Sequence, residues 1–427
     1  MEQRVYREYV NILREELIMA MGCTEPIAVA YGAALARETL GFMPESVLVK
    51  ASANIIKNVK SVVVPNTGGQ RGIAAAAAAG IVAGDAGKKL QVLSAVTPAQ
   101  IGEIEAFLQR VPCAVEPSDQ PFVFDIQVEL SGNGHRAFCE ISGFHTNVIR
   151  LERDGKILVD QAYTEQDIQY GTDRSLLNVE NIVEFADCVA LEDVQEVIQR
   201  QIDCNIAIAE EGLRGDWGAN IGRVLLHAYG DTVYNRAKAM AAAGSDARMS
   251  GCELPVVINS GSGNQGLTAS LPVIVYAREM GASQEQLYRA LVVSNLITIH
   301  LKTGIGRLSA YCGATSAGCG AGAGICYLHG GNTDDIAHTI VNGVAINSGM
   351  ICDGAKPSCA AKIASAVEAG LLGWQMRTQG TEFYGGDGIV TKGVENTIEN
   401  VNRVARIGMA ETDREIIEIM VSNTRKC

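Results

Sequence analysis

The chain has 427 residues, 47% of them hydrophobic, and a formal net charge of −13 at pH 7, which predicts a large core divided into two or three domains. The acidic balance, without a cluster of Lys and Arg, argues against nucleic-acid binding through a basic surface. No apolar run reaches the ~18 residues that span a bilayer, and the first residues lack the apolar core of a signal peptide, so we expect a cytoplasmic protein without a membrane partner.

Two helices are predicted at the start of the chain, on either side of a cysteine. Apolar residues recur every four positions over 4–20, which predicts the first helix. Thr24 as a cap and Glu25 in the first turn predict the second helix over 25–40. Cys23 would then lie at or just before a helix N-terminus, where the helix dipole lowers the pKa of a thiol. A structural thiol at a helix start is the alternative interpretation.

The remainder of the first 190 residues is typical of a mixed α/β structure. A Val- and Ile-rich stretch over 46–65 predicts extended chain, and the Ala-rich run after the turn at 65–72 predicts a helix. A short strand followed by a helix is predicted over 91–110. Polar and apolar residues alternate over 122–163, which predicts antiparallel strands, with Asp154-Gly155 as a hairpin turn.

Helical patterns rich in Ala, Gly and Leu dominate the second half, from 191 to 406, and one short strand is predicted in LPVVINSGSG. We therefore predict an α+β fold with two domains. An N-terminal mixed α/β domain with antiparallel strands (residues 1–190) would pack on a C-terminal all-helical domain (residues 191–427) built around a site.

The chain contains twelve cysteines, although a reducing compartment disfavours disulfides. The alternatives are buried apolar thiols, catalytic thiols and metal ligands. Cys352 and Cys359 bracket a Gly- and Pro-containing loop that can bend both thiolates towards one centre. Cys319 and Cys326 have the same spacing, but on an Ala/Gly-rich helix they could simply share a buried face. Spacing alone does not decide between the two pairs.

Five motifs, taken together and in order, cover nearly the whole chain: MGCTEPIAVAYGAA, NTGGQRG, SGSGNQG, GRLSAYCGATSAGCGAGAG and ICDGAKPSC. They resemble the iron–sulfur-dependent L-cysteine desulfidases, a family related to the α part of the iron–sulfur L-serine dehydratases. The resemblance implies a [4Fe–4S] cluster held by Cys312, Cys352 and Cys359, with Cys319 and Cys326 as packing residues. It assigns the catalytic thiol to the cysteine of the GCTEP motif, here Cys23.

The implied reaction is the β-elimination of L-cysteine, a small-molecule amino acid, to pyruvate, ammonia and hydrogen sulfide. Three thiolates leave one iron of the cube without a protein ligand, so that iron can act as a Lewis acid towards the leaving sulfide. A thiolate at Cys23 would be the base that removes the Cα proton. The alternatives left open are an L-serine dehydratase and a non-catalytic iron–sulfur sensor. Assembly as a homo-oligomer is also left open.

Glycine-rich turns supply candidates for binding the substrate carboxylate and ammonium. The turn at 259–266 precedes a helix, whose free amides bind anions, and it lacks the lysine of a P-loop. A second such turn lies at 65–72. Together with one histidine after a strand end, the candidate substrate-binding residues are Asn66, Arg71, His145, Ser260, Ser262, Asn264 and Gln265. A lone histidine is more often structural, so His145 ranks below the cysteines.

Charged residues and a terminal thiol complete the candidates. Lys302 and Arg307 could balance cluster charge, bind the substrate carboxylate or be merely solvated. The last residue, Cys427, is a hypothetical fourth iron ligand, because a flexible thiolate beside Arg425 and Lys426 could reach an open iron. A terminal tail without any role is the alternative.

Overall fold

The computed structural model describes residues 1–163, 172–306 and 308–424. Within these ranges the α helices are α1 (Gln3–Glu16), α2 (Thr24–Leu40), α3 (Ala53–Val59), α4 (Ile73–Ala83), α5 (Pro98–Arg110), α6 (Val179–Cys188), α7 (Leu191–Arg214), α8 (Ile221–Tyr229), α9 (Val233–Met249), α10 (Gly263–Met280), α11 (Gln284–Thr303), α12 (Gly313–Leu328), α13 (Thr333–Ile346), α14 (Cys359–Thr378), α15 (Val394–Arg403) and α16 (Ala410–Thr424). The strands are β1 (Met19–Met21), β2 (Ser46–Ala51), β3 (Cys113–Pro117), β4 (Asp125–Gly132), β5 (His135–Ser142), β6 (Val148–Arg153), β7 (Lys156–Asp160) and β8 (Pro255–Val257). The predicted α+β fold class is confirmed.

A six-stranded sheet forms the centre of the first half, with the strand order β3-β2-β4-β5-β6-β7. Strands β2 and β3 are parallel, and all other neighbours are antiparallel. Asp154 and Gly155 both have positive φ, 51° and 78°, which confirms the predicted tight hairpin between β6 and β7. Helix α2 covers one face of the sheet, where Gly32 lies against Val128 and Ile141.

The second half is a helical bundle in which small residues let helix backbones touch. A Cβ atom added at Gly318 of α12 would lie 2.1 Å from the carbonyl oxygen of Ala366 in α14, and one at Gly322 would lie 2.4 Å from that of Gly370. A step of four residues towards the C-terminus of α12 therefore moves the contact four residues towards the C-terminus of α14. The two helices are parallel, and their N-termini lie at the same end of the bundle.

A short two-stranded sheet connects the two halves of the chain. Strand β1 pairs antiparallel with β8, and the amide of Ile258 donates to the carbonyl of Ile18 at 2.9 Å. This pairing brings the loop before α2 beside the glycine-rich turn before α10, where the hydroxyl of Thr24 donates to the carbonyl of Gly261 at 3.0 Å. The domain boundary at residue 190 stays a prediction, and helices α1 and α6 both pack against the helical half.

Several local predictions differ from the structure. The predicted first helix ends at Glu16, because the residues after it form β1, and its partner β8 is more than 200 residues away in sequence. The predicted extended segment 46–65 contains a strand followed by the helix α3. The predicted strand near residue 91 is a 3₁₀ helix and turn instead. No helix in the described ranges is long and apolar enough to cross a membrane.

Candidate active site

A pocket between the two halves brings four of the cysteines together. Its empty volume is about 710 Å³ when the open mouth is included. The lining residues that carry chemistry are Cys23, Glu25, Arg248, Cys312, Cys352 and Cys359. The thiol predicted to be catalytic therefore lies in the same pocket as the three cysteines predicted to be ligands.

Three chain segments position the predicted ligands. Cys312 is the cap residue of α12, and Cys359 is the first residue of α14, so both lie at the adjacent ends of these parallel helices. Cys352 lies in the loop before α14. Its amide donates to the carbonyl of Ala310 at 2.6 Å, and the amide of Cys312 donates to that of Met350 at 2.9 Å. This backbone bridge holds Cys352 beside Cys312.

The three thiols influence one another electrostatically. A hydrogen bond from the Cys312 thiol lowers the pKa of Cys352, and the same bond, followed by burial, raises the pKa of Cys312 well above the ordinary thiol range. Burial raises the pKa of Cys359, whose Sγ lies 3.8 Å from the carbonyl oxygen of Gly354. Cys352 is therefore the thiol of the three that ionises most readily, and binding of a metal would deprotonate the other two.

The donor set fits an iron–sulfur cluster. Among the described residues, no group of three or more His, Cys, Asp or Glu side chains is arranged to hold a single metal ion. A cluster of several irons spreads its ligands more widely than one ion does, and cysteine sulfur is its usual ligand. By contrast, Cys319 and Cys326 lie in the helix packing outside this pocket, where burial raises their pKa to about 12 and about 11.

Cys23 and Glu25 form a hydrogen-bonded pair at the start of α2. Cys23 is the cap residue of the helix and is only 1% exposed. Its Sγ donates to Oε2 of Glu25 at 2.9 Å, and Nδ2 of Asn58 in α3 donates to Oε1 of the same carboxylate at 3.0 Å. Asn58 therefore fixes the orientation of the carboxylate that accepts the hydrogen bond from the thiol.

The prediction of a lowered pKa at Cys23 is wrong. Burial, followed by the negative charge of Glu25, raises the pKa of this thiol well above its ordinary value and outweighs the opposing charge of Arg248. Although burial opposes ionisation of Glu25, the charge of His145, the hydrogen bond from Cys23 and the charge of Arg248 lower its pKa. The pair therefore consists of a neutral thiol and an ionised carboxylate at neutral pH.

Arg248, at the end of α9, connects the Cys23 loop to the glycine-rich turn before α10. It is 2% exposed; its Nε donates to the carbonyl of Gly22 at 2.8 Å, and its Nη1 donates to Oδ1 of Asn264 at 3.0 Å. Arg248, Glu25 and Asn58 were not predicted from the sequence as site residues. The signals in the sequence were an arginine in an Ala-rich helix and a carboxylate two residues after the cysteine predicted to be catalytic.

The predicted substrate-binding residues divide between the pocket and its surroundings. Ser262, Asn264 and Gln265 line the pocket. Ser260 lies behind them, with its hydroxyl donating to Asn259 at 2.8 Å. His145 packs edge-on against the ring of Phe124, at 4.8 Å between centroids, and is close enough to Glu25 to affect its charge.

Two further predicted residues lie outside the pocket and donate to backbone carbonyls of neighbouring segments. Asn66 donates to the carbonyl of Leu93 at 2.7 Å, and Arg71 donates to that of Ser61 at 2.6 Å. Lys302 is buried and lines the pocket near Cys312. Arg307 and Cys427 lie outside the described residues.

Comparison with known proteins identifies the family. The family model of the serine dehydratase alpha chain matches residues 138–418. A UPF0597 protein of Desulfitobacterium hafniense is 58% identical over 421 residues, which cover 99% of this chain and 98% of that protein. A UPF0597 protein of Lachnoclostridium phytofermentans is 49% identical, with 98% of this chain and 100% of that protein covered. The chain belongs to the serine dehydratase alpha chain family of iron–sulfur lyases.

Proposed function

We propose that the protein is an L-cysteine desulfidase that carries a [4Fe–4S] cluster on Cys312, Cys352 and Cys359. L-Cysteine loses sulfide and its Cα proton to give aminoacrylate, which becomes an imine and takes up water to give pyruvate and ammonia. The observation that carries the proposal is that Cys23, a residue able to move a proton, shares one pocket with a three-thiol donor set. When bound, the cluster supplies an iron without a fourth protein thiolate as the Lewis acid for the leaving group on Cβ.

Proton abstraction depends on the pair of Cys23 and Glu25. Because the pKa of Cys23 is raised, its sulfur must lose a proton before it can accept one from Cα. The Sγ–Oε2 hydrogen bond provides the route, since the thiol proton can move to Glu25 as Sγ takes the Cα proton. Asn58 keeps Oε1 occupied and leaves Oε2 directed at the sulfur.

The start of α10 supports the binding of a zwitterionic substrate. Ser262 caps this helix without a side-chain cap bond, and the guanidinium of Arg248 lies against Gly263, so amide and guanidinium donors are available to a carboxylate. Oε1 of Gln265 is buried and has no hydrogen-bond partner among the described residues, which makes it an acceptor for the α-ammonium. The Gln265 amide also lies against Gly313, next to Cys312.

A second candidate function is L-serine dehydration, in which water leaves instead of sulfide. The match to the serine dehydratase alpha chain favours it. Both functions use the same pocket, and the soft sulfur of cysteine is the leaving group better suited to an iron Lewis acid.

The deciding experiment is turnover by protein purified and reconstituted without oxygen. Pyruvate and sulfide are measured with L-cysteine, and pyruvate alone with L-serine. We expect kcat/KM to be higher for L-cysteine. A higher value for L-serine would assign the second function, and a loaded cluster with no turnover of either amino acid would contradict both.

A further inference from the structure

Lys57 is a buried lysine in the middle of α3, outside the groups used above for proton transfer and substrate binding. The residue is 2% exposed, and its Nζ lies 2.6 Å from Oδ1 of Asp413 in α16. A lysine is rarely this buried unless its charge is compensated. Asp413 is partly exposed, with 17% of its side chain accessible to water. Water can therefore reach the carboxylate of this ion pair more easily than the ammonium of Lys57.

The backbone and side chain of Lys57 lie directly against the loop that carries the predicted ligands. Gly354, between Cys352 and Cys359, has a φ of 91°, and a Cβ atom added there would lie 2.4 Å from the carbonyl oxygen of Lys57 and 3.4 Å from its Cγ. Only glycine fits this contact without displacing one of the two segments. Lys57 is therefore in contact with the loop that carries Cys352.

The ammonium of Lys57 is therefore a buried positive charge on a residue that packs against the loop between two predicted ligands, Cys352 and Cys359. A buried positive charge near thiolates has a strong effect, because the protein interior screens it less than water does.

We propose that Lys57 is a positioning residue for the cluster, whose buried ammonium compensates the negative charge of the thiolate ligands, while Asp413 determines how much of that charge remains effective. The inference rests on the proposed function only in requiring that a cluster binds. It adds a link between the last helix of the chain and the ligand loop. The competing explanation is that the ion pair serves only to attach α16 to α3.

The two explanations differ in whether Lys57→Met and Asp413→Asn have opposite effects or the same effect on the site. If Lys57 acts through its charge, Lys57→Met makes the site more negative and Asp413→Asn makes it more positive. If the pair only attaches α16 to α3, both substitutions break the same ion pair, and both change iron release and the midpoint potential in the same direction. A matched control is Lys238→Met, which removes a buried lysine paired with Glu368 at 2.6 Å, between α9 and α14 and outside the pocket.

The test uses the full-length protein with its cluster reconstituted without oxygen, and it measures iron release to a ferrous chelator and the midpoint potential of the cluster. For Lys57→Met we expect release roughly threefold faster or more and a more negative potential. For Asp413→Asn we expect a more positive potential without faster release, and for Lys238→Met values equal to wild type.

Unchanged values for Lys57→Met, or shifts of the same sign for both variants, would overturn the inference while leaving the cluster in place. If Lys57→Met does not fold, the sign of the shift in Asp413→Asn decides by itself. A wild-type protein that takes up no cluster would overturn the proposed function together with this inference.

Discussion

The thiol of Cys23 donates a hydrogen bond of 2.9 Å to the carboxylate of Glu25, two residues later in the first turn of α2. A helix start normally favours a thiolate, but here the thiol is buried, and the charge of the carboxylate raises its pKa more than the charge of Arg248 lowers it. The proton therefore stays on the sulfur of Cys23 in the resting state, and the carboxylate of Glu25 is placed to accept it. This arrangement suits a thiol that exchanges a proton during each turnover rather than a permanently ionised one.

Replacing Cys23 with serine separates proton transfer from cluster binding. We expect Cys23→Ser to retain its iron and sulfide and to lose turnover by roughly 10²-fold or more, because a hydroxyl is a much weaker acid than a thiol. Iron analysis, absorbance and pyruvate formation measure the two properties. Loss of iron in this variant would make Cys23 a ligand, and unchanged turnover would remove it from the reaction.

Glu25→Gln tests whether the carboxylate accepts the proton. Glutamine is nearly isosteric and keeps the bond from Asn58, but it cannot take up a proton, so we expect kcat to fall roughly 10²-fold with little change in KM. The matched control is Glu38→Gln, at the exposed far end of the same helix, for which we expect wild-type kinetics. A variant at Glu25 that affects KM alone would show that the carboxylate binds substrate instead.

Gln265→Leu tests the acceptor assigned to the substrate ammonium. Leucine keeps the volume of the buried side chain and removes Oε1, which has no partner among the described residues. We expect KM for the amino acid to rise roughly tenfold or more, the value of one hydrogen bond to a charged group, with the cluster absorbance unchanged. Steady-state kinetics over a range of substrate concentrations measure it, and an unaltered KM would contradict the assignment.

The two cysteine pairs with the same spacing, Cys352/Cys359 and Cys319/Cys326, are expected to respond differently to substitution. Cys352→Ala should lose most of its iron, because only Cys312 and Cys359 would then hold the cluster. Cys319→Ala and Cys326→Ala should keep it and lose only about 1 kcal/mol of unfolding free energy from packing, since both thiols lie buried outside the pocket. Iron content after anaerobic reconstitution distinguishes them. Full iron and activity in Cys352→Ala would reverse the assignment.

Glu140 in β5 predicts how stability depends on pH. Burial, followed by the charge of Asp125, raises the pKa of Glu140 from 4.5 to about 7. The folded protein thus holds a proton that the unfolded chain has lost in this range, so this residue makes stability fall as pH rises from about 4.5 to about 7.

The corresponding substitution is Glu140→Gln. We expect it to raise the melting temperature relative to wild type at pH 8 and to give only a small part of that gain near pH 4.5, where the folded protein holds the proton and about half of the unfolded chains do. Melting followed by circular dichroism at both values measures this. Glu103→Gln, an exposed change on α5, is the control, and an equal gain at both pH values would contradict the role of the proton.

Features set by local sequence were predictable, and features set by distant contacts were not. Helix α2 and the Asp154-Gly155 hairpin were predictable from residues within a few positions, although the cap residue of α2 is Cys23 and not Thr24 as predicted. Helix α3 was missed because its Val- and Ile-rich sequence favours a strand, whereas its contacts, from Asn58 to Glu25 and from Lys57 to Asp413, lie far away in sequence.

The same difference between local and distant determinants applies to the candidate site. Cys23, the three predicted ligand cysteines and the turn before α10 were recognisable from motifs, and the structure brings them together in one pocket. Arg248 was missed, since its contact with the Cys23 loop depends on the pairing of β1 with β8, and an arginine in an Ala-rich helix is a weak signal by itself. The direction of the pKa shift at Cys23 was also missed, because burial is a property of the folded protein and not of the helix start.

The parallel contact of α12 and α14 bears on how a cluster could be assembled. Gly318 and Gly370 let the two backbones touch, and the thiols of Cys312 and Cys359 stand at the adjacent ends of these helices. The conformational entropy that is lost when these two ligands come together is therefore lost during folding, before iron binds. The backbone bridge between the Cys352 loop and the residues before α12 positions the third ligand as well, so the bare protein is a preorganised receptor. A side chain larger than glycine at position 318 or 370 would widen the gap between the two helices and impair metal uptake.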